Sequence, residues 1–475
     1  MKNGQRWAQQ EFGGAQLGDP RRTARAVELA ARVMECPAGT VTAVVQRDAA
    51  REAAFRFLRN AHVGVGALGR SSHLATLRRC QGEDIVFVAV DQCSIAVTDR
   101  AGKKDFGPVG TRPNAKVRGL QAMTALAISE SGRVLGVCGQ RWWRRSDEKS
   151  PRFGRDQRTA PERESSLWTH VMDDVEDRVL EARSSLKPWY QLDRGGDAGP
   201  ILLKAVQEQL YLTVRAAYDR TLADDEDDYV RLRAAVSSEK PIARFAHYLR
   251  PAAAKKAGHS HLRPRHLEVR VRAVTLRVTH YVPGERKRGE QRQAVDCWAV
   301  SLREISPPPG VRRLDWLLLT TYPVRGVRDA LKVAWGYCLR WRIEEFHKTW
   351  KSGACDLERS QLRSCATLQR WATLLAAVAA RIERLKQAAR QQPARPALEF
   401  ASRDEIDGAI VLTERCKWKP GAELTIEQFV LLVANIGGYT GRSSGGPPGS
   451  IVIARGLDRV TAAAAAFAAA RGTQI

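Results

Sequence analysis

Apolar, β-type runs that carry or end in an aspartate are the feature that most constrains how this chain can fold. The run DIVFVAVDQCSIAV at 84–97 holds Asp91 just past its most apolar stretch, and PWYQLD at 188–193 ends in Asp193. Two further strand-like runs, LQAMTALAIS and RVLGVCGQRWW, and the helical run SSLWTHVMDDVEDRVLEA lie between them. Strands mixed with helices in this way predict an α/β fold.

The chain divides into three segments by its patterns. Its 475 residues exceed what one hydrophobic core usually serves. Residues 1–70 are predicted to be helical, since Asp19 can cap a helix that the following proline starts. Residues 71–374 predict a catalytic domain with a β-rich insertion at about 200–325, and 375–475 predict a mostly helical C-terminal domain.

The charge balance points to a polyanionic partner. The formal net charge is +25, from 77 Lys and Arg against 52 Asp and Glu, and neutralising phosphates would release counterions. The alternative is a genome that uses arginine freely for ordinary surfaces. The N-terminal helices carry the same ambiguity, because their basic faces suit a small DNA-binding module or plain solvation equally well. The candidate DNA contacts there are Arg22, Arg25, Arg56 and Arg59.

Cysteine usage and apolar run lengths predict a cytoplasmic protein with no membrane partner. The nine cysteines are scattered without a CxxC pair, which speaks against a disulfide framework or a zinc ribbon. The opening MKNGQRWAQQEFGG lacks the apolar core of a signal peptide, and no apolar run reaches about 18 residues.

The run YCLRWRIEEFHKTWKSG at 337–353 keeps two adjacent acids among basic and aromatic residues. At about 100° per residue, one continuous helix places Glu344 on a polar face and Glu345 on a flank. The opposite face, from Trp335 to Trp350, is apolar and predicts packing against a core. A surface helix with Glu344 in i±4 ion pairs is the alternative. It does not explain why the polar face also gathers Tyr337, Arg340, His347, Lys348 and Lys351.

A metal ion held by Glu344, with cations and a tyrosine on phosphate oxygens, accounts for that whole face. Two-metal phosphoryl transfer needs about three carboxylates, and Asp91 and Asp193 are the other candidates. Two strand-borne aspartates followed by a helix-borne glutamate suit an RNase H-like site. Each aspartate alone is more often a turn residue, so the prediction depends on the three acids together.

These residues resemble the DDE transposases of the insertion-sequence-four family. The order Asp91, Asp193, Glu344 is joined by the signature Y-x2-R-x3-E-x6-K, which Tyr337, Arg340, Glu344 and Lys351 complete. The runs LGDPRRTAR, FRFLRN, QRWWRR, LDWLLLT and GGYTGR extend the likeness over nearly the whole chain. The chain departs from the family in reading LDRGGD at the second aspartate and DQCS at the first.

The resemblance implies an α/β fold: an RNase H-like catalytic core with a β-strand insertion, flanked by a helical N-terminal DNA-binding domain and a helical C-terminal dimerisation domain. It implies a bacterial, nucleoid-associated cut-and-paste DNA transposase that works as a homodimer on inverted-repeat ends and target DNA. Asp91, Asp193 and Glu344 would hold two Mg²⁺ ions, for which Mn²⁺ can substitute. Cleavage would pass through a DNA hairpin before the 3′-OH ends are joined to target DNA.

The resemblance also implies DNA contacts around the hairpin. Trp316 would stack on an extruded base, although composition alone favours a core aromatic there. Arg215, Tyr337, Arg340 and Lys351 would hold nearby phosphates. Two rival functions remain: a catalytically inactive, transposase-derived DNA-binding regulator, and a metal-dependent nuclease of the same fold.

Overall fold

The computed structural model describes residues 3–99, 103–109, 117–146, 166–223, 230–248, 264–281, 290–307, 309, 312–414, 416–441 and 446–472. Within these ranges the strands form one mixed sheet, in the order β2-β3-β1-β5-β6-β10-β9-β8-β7, with β4 also paired to β3. The strands are β1 (Ile85–Val97), β2 (Gly107–Pro108), β3 (Arg118–Ser129), β4 (Val134–Trp143), β5 (Lys187–Leu192), β6 (Tyr211–Arg215), β7 (Ala243–Tyr248), β8 (Pro264–Tyr281), β9 (Glu290–Glu304) and β10 (Asp315–Thr320).

The centre of the sheet is parallel and covered on both faces. Strands β1, β5 and β6 run parallel, while β3 and β4 are antiparallel to their neighbours. Successive residues of β1 point to opposite sides: Phe87 and Ala89 enter one hydrophobic core, and Val86 and Val88 enter the other. A strand buried on both faces reads as a near-continuous apolar run, and this is the pattern that the sequence shows.

Five helices precede the sheet: α1 (Asn3–Phe12), α2 (Pro20–Glu35), α3 (Val41–Val44), α4 (Asp48–Arg59) and α5 (Val65–Arg79). The predicted cap of α2 is confirmed, because the Asp19 carboxylate accepts a hydrogen bond from the Arg21 amide at 2.8 Å. Helices α6 (Ser166–Glu181) and α7 (Gly199–Gln207) cross between the strands, and α8 (Leu232–Ser237) precedes β7.

The strands predicted to form a β-rich insertion at about 200–325 continue the central sheet. Strand β6, which lies inside that range, pairs parallel with β5. The later strands β7 to β10 add on beyond β6, with Leu318 of β10 opposite Arg215.

The remaining helices are α9 (Val327–Leu339), α10 (Arg342–Lys351), α11 (Cys365–Gln391), α12 (Arg403–Leu412), α13 (Ile426–Ile436) and α14 (Ser450–Gly472). Helix α11 runs unbroken across the predicted boundary at 374, and the N-terminal segment packs on it. The Arg370 guanidinium donates to the Leu58 carbonyl at 2.8 Å, and the Trp371 indole donates to the Gly39 carbonyl at 2.8 Å. One buried core accordingly joins all three segments.

The prediction of one continuous helix over 335–351 is wrong. The chain forms α9 and α10, separated at Arg340 and Trp341. Both residues keep helical backbone angles, but the Arg340 and Glu344 amides bond to carbonyls three residues back, at 3.1 Å each. Trp335, predicted for the apolar face, is 38% exposed and donates its indole N–H to the Glu130 carbonyl. Among the described helices, none combines the length and apolarity needed to cross a lipid bilayer.

Candidate active site

The sheet places Asp91 and Asp193 on neighbouring parallel strands. Val90 of β1 lies opposite Leu192 of β5, so the residues that follow these two are neighbours at the carboxyl end of β5. Asp193 opens a short turn, in which its carboxylate accepts a hydrogen bond from the Gly195 amide at 2.7 Å. The other acid of LDRGGD, Asp197, is buried and paired with Arg220 at 2.7 Å. Of these two acids, Asp193 is therefore the one available to a site beside Asp91.

Arg340 lies near both Glu344 and Asp91. Helix α10 packs on β1, and the Arg340 guanidinium lies 3.3 Å from Glu344 Oε1 and 3.8 Å from Asp91 Oδ2. Arg340 is 7% exposed, so its charge is directed into the protein. The polar face that the sequence predicted thus survives the break between α9 and α10.

The electrostatics of Asp91 show that the three acids lie within range of one another. Burial, together with the nearby charges of Glu344 and Asp193, raises the pKa of Asp91 from 3.8 to about 7. Arg340 and the hydrogen bond from the Gln92 amide act in the opposite direction without restoring the ordinary pKa. The desolvation of a buried carboxylate outweighs its one close cation here.

The donor set fits a divalent cation by its chemistry. Carboxylate oxygens are the ligands that Mg²⁺ prefers, and a cation would offset the burial and repulsion that raise the pKa of Asp91. As they stand, the described residues contain no group of three or more His, Cys, Asp or Glu side chains arranged to hold a metal ion. The Glu344 carboxylate instead forms an ion pair with the Arg340 guanidinium.

A second group of predicted residues surrounds Trp316, which is partly buried on β10. Its ring centre lies 5.5 Å from that of Tyr337, and the Arg215 guanidinium lies 5.9 Å from the indole. Tyr337 and Arg215 share a side-chain hydrogen bond, and burial raises the pKa of the Tyr337 hydroxyl. Tyr337 also precedes Arg340 by one helical turn, so this group, the Trp316 cluster, adjoins the acids.

The basic residues of α10 differ in what they offer to DNA. Lys348 is exposed, whereas Lys351 lies 3.5 Å from Glu358. His347 is buried, with Nδ1 4.0 Å from Asp91, and burial lowers the pKa of His347 to about 3. A neutral, buried imidazole does not present a cation to phosphate. The structure therefore argues against the predicted DNA contact at His347.

The N-terminal arginines lie on the surface of α2 and α4. Arg56 and Arg59 are exposed, and the Arg59 guanidinium lies over the Phe55 ring at 5.4 Å. Arg22 donates to the Leu17 carbonyl at 2.9 Å, and Arg25 pairs with Glu28 at 2.6 Å, both partly exposed. Exposed ion pairs are weak, so these contacts do not prevent Arg22 and Arg25 from binding phosphate.

Two residues beside the site were missed from the sequence. Glu358 pairs with Lys351 and accepts a hydrogen bond from the Ala96 amide at 3.1 Å. The His247 ring lies 5.1 Å from that of Trp316, and its Nδ1 lies 3.4 Å from the Cys338 sulfur. The sequence carries no periodic signal for either residue, because a turn and a distant strand bring them to the site.

Two family models match the chain. A transposase DNA-binding model matches residues 4–63, and a transposase DDE domain model matches residues 169–380. Asp193, Glu344 and the Trp316 cluster fall within the second match, whereas Asp91 precedes it. Transposase DDE domains contain an RNase H-like core and generally use divalent metal ions.

The two matches support the class already indicated by the acids: a DNA transposase of the DDE type, with DNA as its partner. The mixed α/β sheet is consistent with the RNase H-like core that the DDE domain implies.

Proposed function

We propose that this protein is a cut-and-paste transposase of the insertion-sequence-four type, which cleaves inverted-repeat ends and joins their 3′-OH groups to target DNA. The observation that supports the proposal is that the buried Arg340 lies near both Asp91 and Glu344, while Asp193 follows the strand next to that of Asp91. A surface ion-pair network would not bury its cation in this way.

Each residue of the site has a distinct task in this proposal. Asp91, Asp193 and Glu344 would hold two Mg²⁺ ions, or Mn²⁺ in their place; when bound, these supply an activated oxygen nucleophile and stabilise the leaving 3′ oxygen. Arg340 holds the carboxylates of Asp91 and Glu344 near each other.

The Trp316 cluster and Lys351 would hold the DNA strand. The Arg215 guanidinium and the Tyr337 hydroxyl are hydrogen-bonded to each other, and both groups can donate to a phosphate oxygen. A hairpin intermediate requires a sharply bent strand, and stacking an extruded base on Trp316 would offset the lost base stacking.

Further parts of the proposal concern partners and location. Arg22, Arg25, Arg56 and Arg59 would bind transposon ends, and Lys348 would add a phosphate contact. The DNA-bound protein would be a homodimer, acting in the bacterial cytoplasm at the nucleoid. A catalytically inactive regulator and a stand-alone nuclease are the competing functions.

A cleavage and joining assay tests the proposal. The substrate is DNA carrying the inverted repeats that flank the gene, incubated with the full chain and Mg²⁺ or with EDTA. We expect metal-dependent nicking, a hairpin product and joined DNA, with Glu344→Ala losing all three. An unchanged nicking rate in Glu344→Ala would sink the catalytic proposal. End binding without cleavage would favour the regulator, and cleavage without joining would favour the nuclease.

A further inference from the structure

The second glutamate of the pair, Glu345, faces away from the acids and is held by three groups. Its Oε2 accepts hydrogen bonds from the Arg342 guanidinium at 3.1 Å and from the Gln387 amide at 2.7 Å. Its Oε1 lies 4.0 Å from the Lys386 ammonium. Gln387 and Lys386 belong to α11, so Glu345 ties α10 to the long helix.

A second polar contact lies one turn further along α10. The Thr349 hydroxyl donates to Glu383 Oε1 at 2.5 Å, and the Lys386 ammonium donates to the same oxygen at 2.6 Å. Thr349, Glu383 and Lys386 are all buried, with Glu383 0% exposed. Lys386 therefore lies between the two acids that face each other across the helix pair.

A third contact extends this arrangement to the sheet. In the amide orientation that satisfies its neighbours, Gln391 accepts from the second Arg342 nitrogen at 2.7 Å. It also donates to the Ser131 and Gly132 carbonyls at 3.1 and 3.0 Å. The turn between β3 and β4 is thereby linked to the first residue of α10.

The spacing shows two matching stripes. Residues 342, 345 and 349 lie on one face of α10, while 383, 387 and 391 lie on one face of α11, each set at helical intervals. An apolar helix interface tolerates small rotations, but a buried polar interface loses hydrogen bonds when either helix turns. These side-chain contacts, the α10–α11 network, involve Arg342, Glu345, Thr349, Glu383, Lys386, Gln387 and Gln391. Beside them, the buried Trp350 indole donates to the Ala372 carbonyl of α11 at 3.0 Å.

We infer that the α10–α11 network fixes the rotation of α10, and that Glu345 is the positioning residue through which Glu344 is held toward Asp91 and Asp193. Glu345 and Glu344 are about 100° apart around the helix. Holding Glu345 against α11 therefore keeps Glu344 directed toward the aspartates. Turning α10 by a fraction of that angle would move the Glu344 carboxylate away from the aspartates. The inference rests on the proposed metal-binding role of Glu344.

Metal binding without catalysis tests this role. Mn²⁺ binding to the full chain, free of DNA, is measured by titration calorimetry for the wild type and for Glu345→Ala, Glu345→Gln and Glu344→Gln. We expect Glu345→Ala to weaken binding at least fivefold. Glu345→Gln keeps an oxygen for Arg342 and Gln387, and should stay within about threefold of the wild type. Wild-type affinity in Glu345→Ala would overturn the inference.

A matched control separates positioning from general loosening of α11. Glu405→Gln weakens the buried pair between Arg381 and Glu405 at 2.7 Å, which ties α11 to α12. It keeps the oxygen that caps α12, and its Mn²⁺ affinity should match the wild type. Binding of transposon-end DNA in EDTA should be unchanged in the Glu345 and Glu405 variants. A Glu405→Gln variant as weak as Glu345→Ala would contradict the inference.

Further variants distinguish a failure of the positioning role from a failure of the proposed metal site. If Glu345→Ala does not fold, Gln387→Leu removes the amide donor to Glu345 while leaving the charge pair with Arg342. We expect a twofold to fourfold weaker Mn²⁺ affinity, and no change would count against the inference. If Glu344→Gln binds Mn²⁺ as well as the wild type, the proposed metal site itself fails. If the Glu345 and Gln387 variants bind Mn²⁺ as well as the wild type while Glu344→Gln binds it more weakly, the proposed metal site stands and the positioning role of Glu345 is wrong.

Discussion

The two polar faces of α10 are built in opposite ways. Toward β1, Arg340 lies near both Glu344 and Asp91, and burial is the largest cause that raises the pKa of Asp91 to about 7. Toward α11, Glu345 and Glu383 are matched by Arg342 and Lys386, with hydrogen bonds between them.

One polar face of this short helix therefore contributes to stability, and the other carries the candidate active site. On the α11 side each acid lies next to a cation, as buried charges require for a stable fold. On the β1 side, burial and the neighbouring carboxylates raise the pKa of Asp91, so ionisation of Asp91 costs stability. Removing a charge should therefore destabilise the protein on the α11 side and stabilise it on the β1 side.

The largest effect is expected from Lys386→Met. The change leaves Glu383 buried without its cation, and breaking a buried pair in this way costs about 3 kcal/mol or more. Chemical denaturation followed by circular dichroism measures the change in the free energy of unfolding. Lys332→Met is the control, because its pair with Glu130 is partly exposed and should cost under about 1 kcal/mol. Equal losses in the two variants would contradict the contrast between faces.

Asp91→Asn should have the opposite sign and depend on pH. The folded protein holds the pKa of Asp91 at about 7, above its ordinary 3.8, so its ionisation costs stability as pH rises through that interval. A difference of one in pKa corresponds to about 1.4 kcal/mol. The full interval would correspond to about 4 kcal/mol, and solvent screening of the Asp91 side chain, which is 14% exposed, should lower that gain. In EDTA, we therefore expect Asp91→Asn to stabilise the fold by roughly 2 kcal/mol at pH 8 and by almost nothing at pH 4.

The control for that measurement is Asp296→Asn, at an exposed position on β9. It should change the free energy of unfolding equally little at both pH values. A loss of stability in Asp91→Asn at pH 8 would show that Arg340 outweighs burial and that the β1 face is balanced after all.

The sequence predicted the parts of this site that depend on local pattern. Asp91 lies within the largely apolar strand β1 and Asp193 follows β5, so an apolar run along the chain is enough to locate both aspartates. The helical stripe separated Glu344 from Glu345 correctly, although the break at Arg340 was missed because both junction residues keep helical angles.

The rest depends on residues far apart in the chain. The contact between Glu345 and Gln387 joins positions 42 residues apart, and the one between Thr349 and Glu383 joins positions 34 apart. Neither leaves a periodic signal. A helical wheel reports which way a side chain points and says nothing about what covers it, so the burial of His347 could not be predicted from the pattern.

A smaller effect is expected from Thr349→Val. The change keeps the shape but removes the hydroxyl donor to the buried Glu383, whose Oε1 still accepts a hydrogen bond from Lys386. Losing one of these two donors should cost about 1 kcal/mol. The matched control is Thr373→Val, because the Thr373 hydroxyl bonds only to the Gln369 carbonyl of its own helix. Denaturant midpoints should fall for Thr349→Val and barely move for Thr373→Val. The reverse order would remove Thr349 from the α10–α11 network.

The smallest effect on stability, and one confined to DNA binding, is expected from Lys348→Ala. Lys348 is the exposed cation beside Glu344, so its loss should leave the free energy of unfolding within about 0.5 kcal/mol. One lost phosphate contact should lower the slope of log affinity against log salt by about 1. Lys187→Ala, at the opposite end of β5 from Asp193, should leave that slope unchanged. Because the slope counts phosphate contacts, an unchanged value in Lys348→Ala would place DNA away from this face of α10.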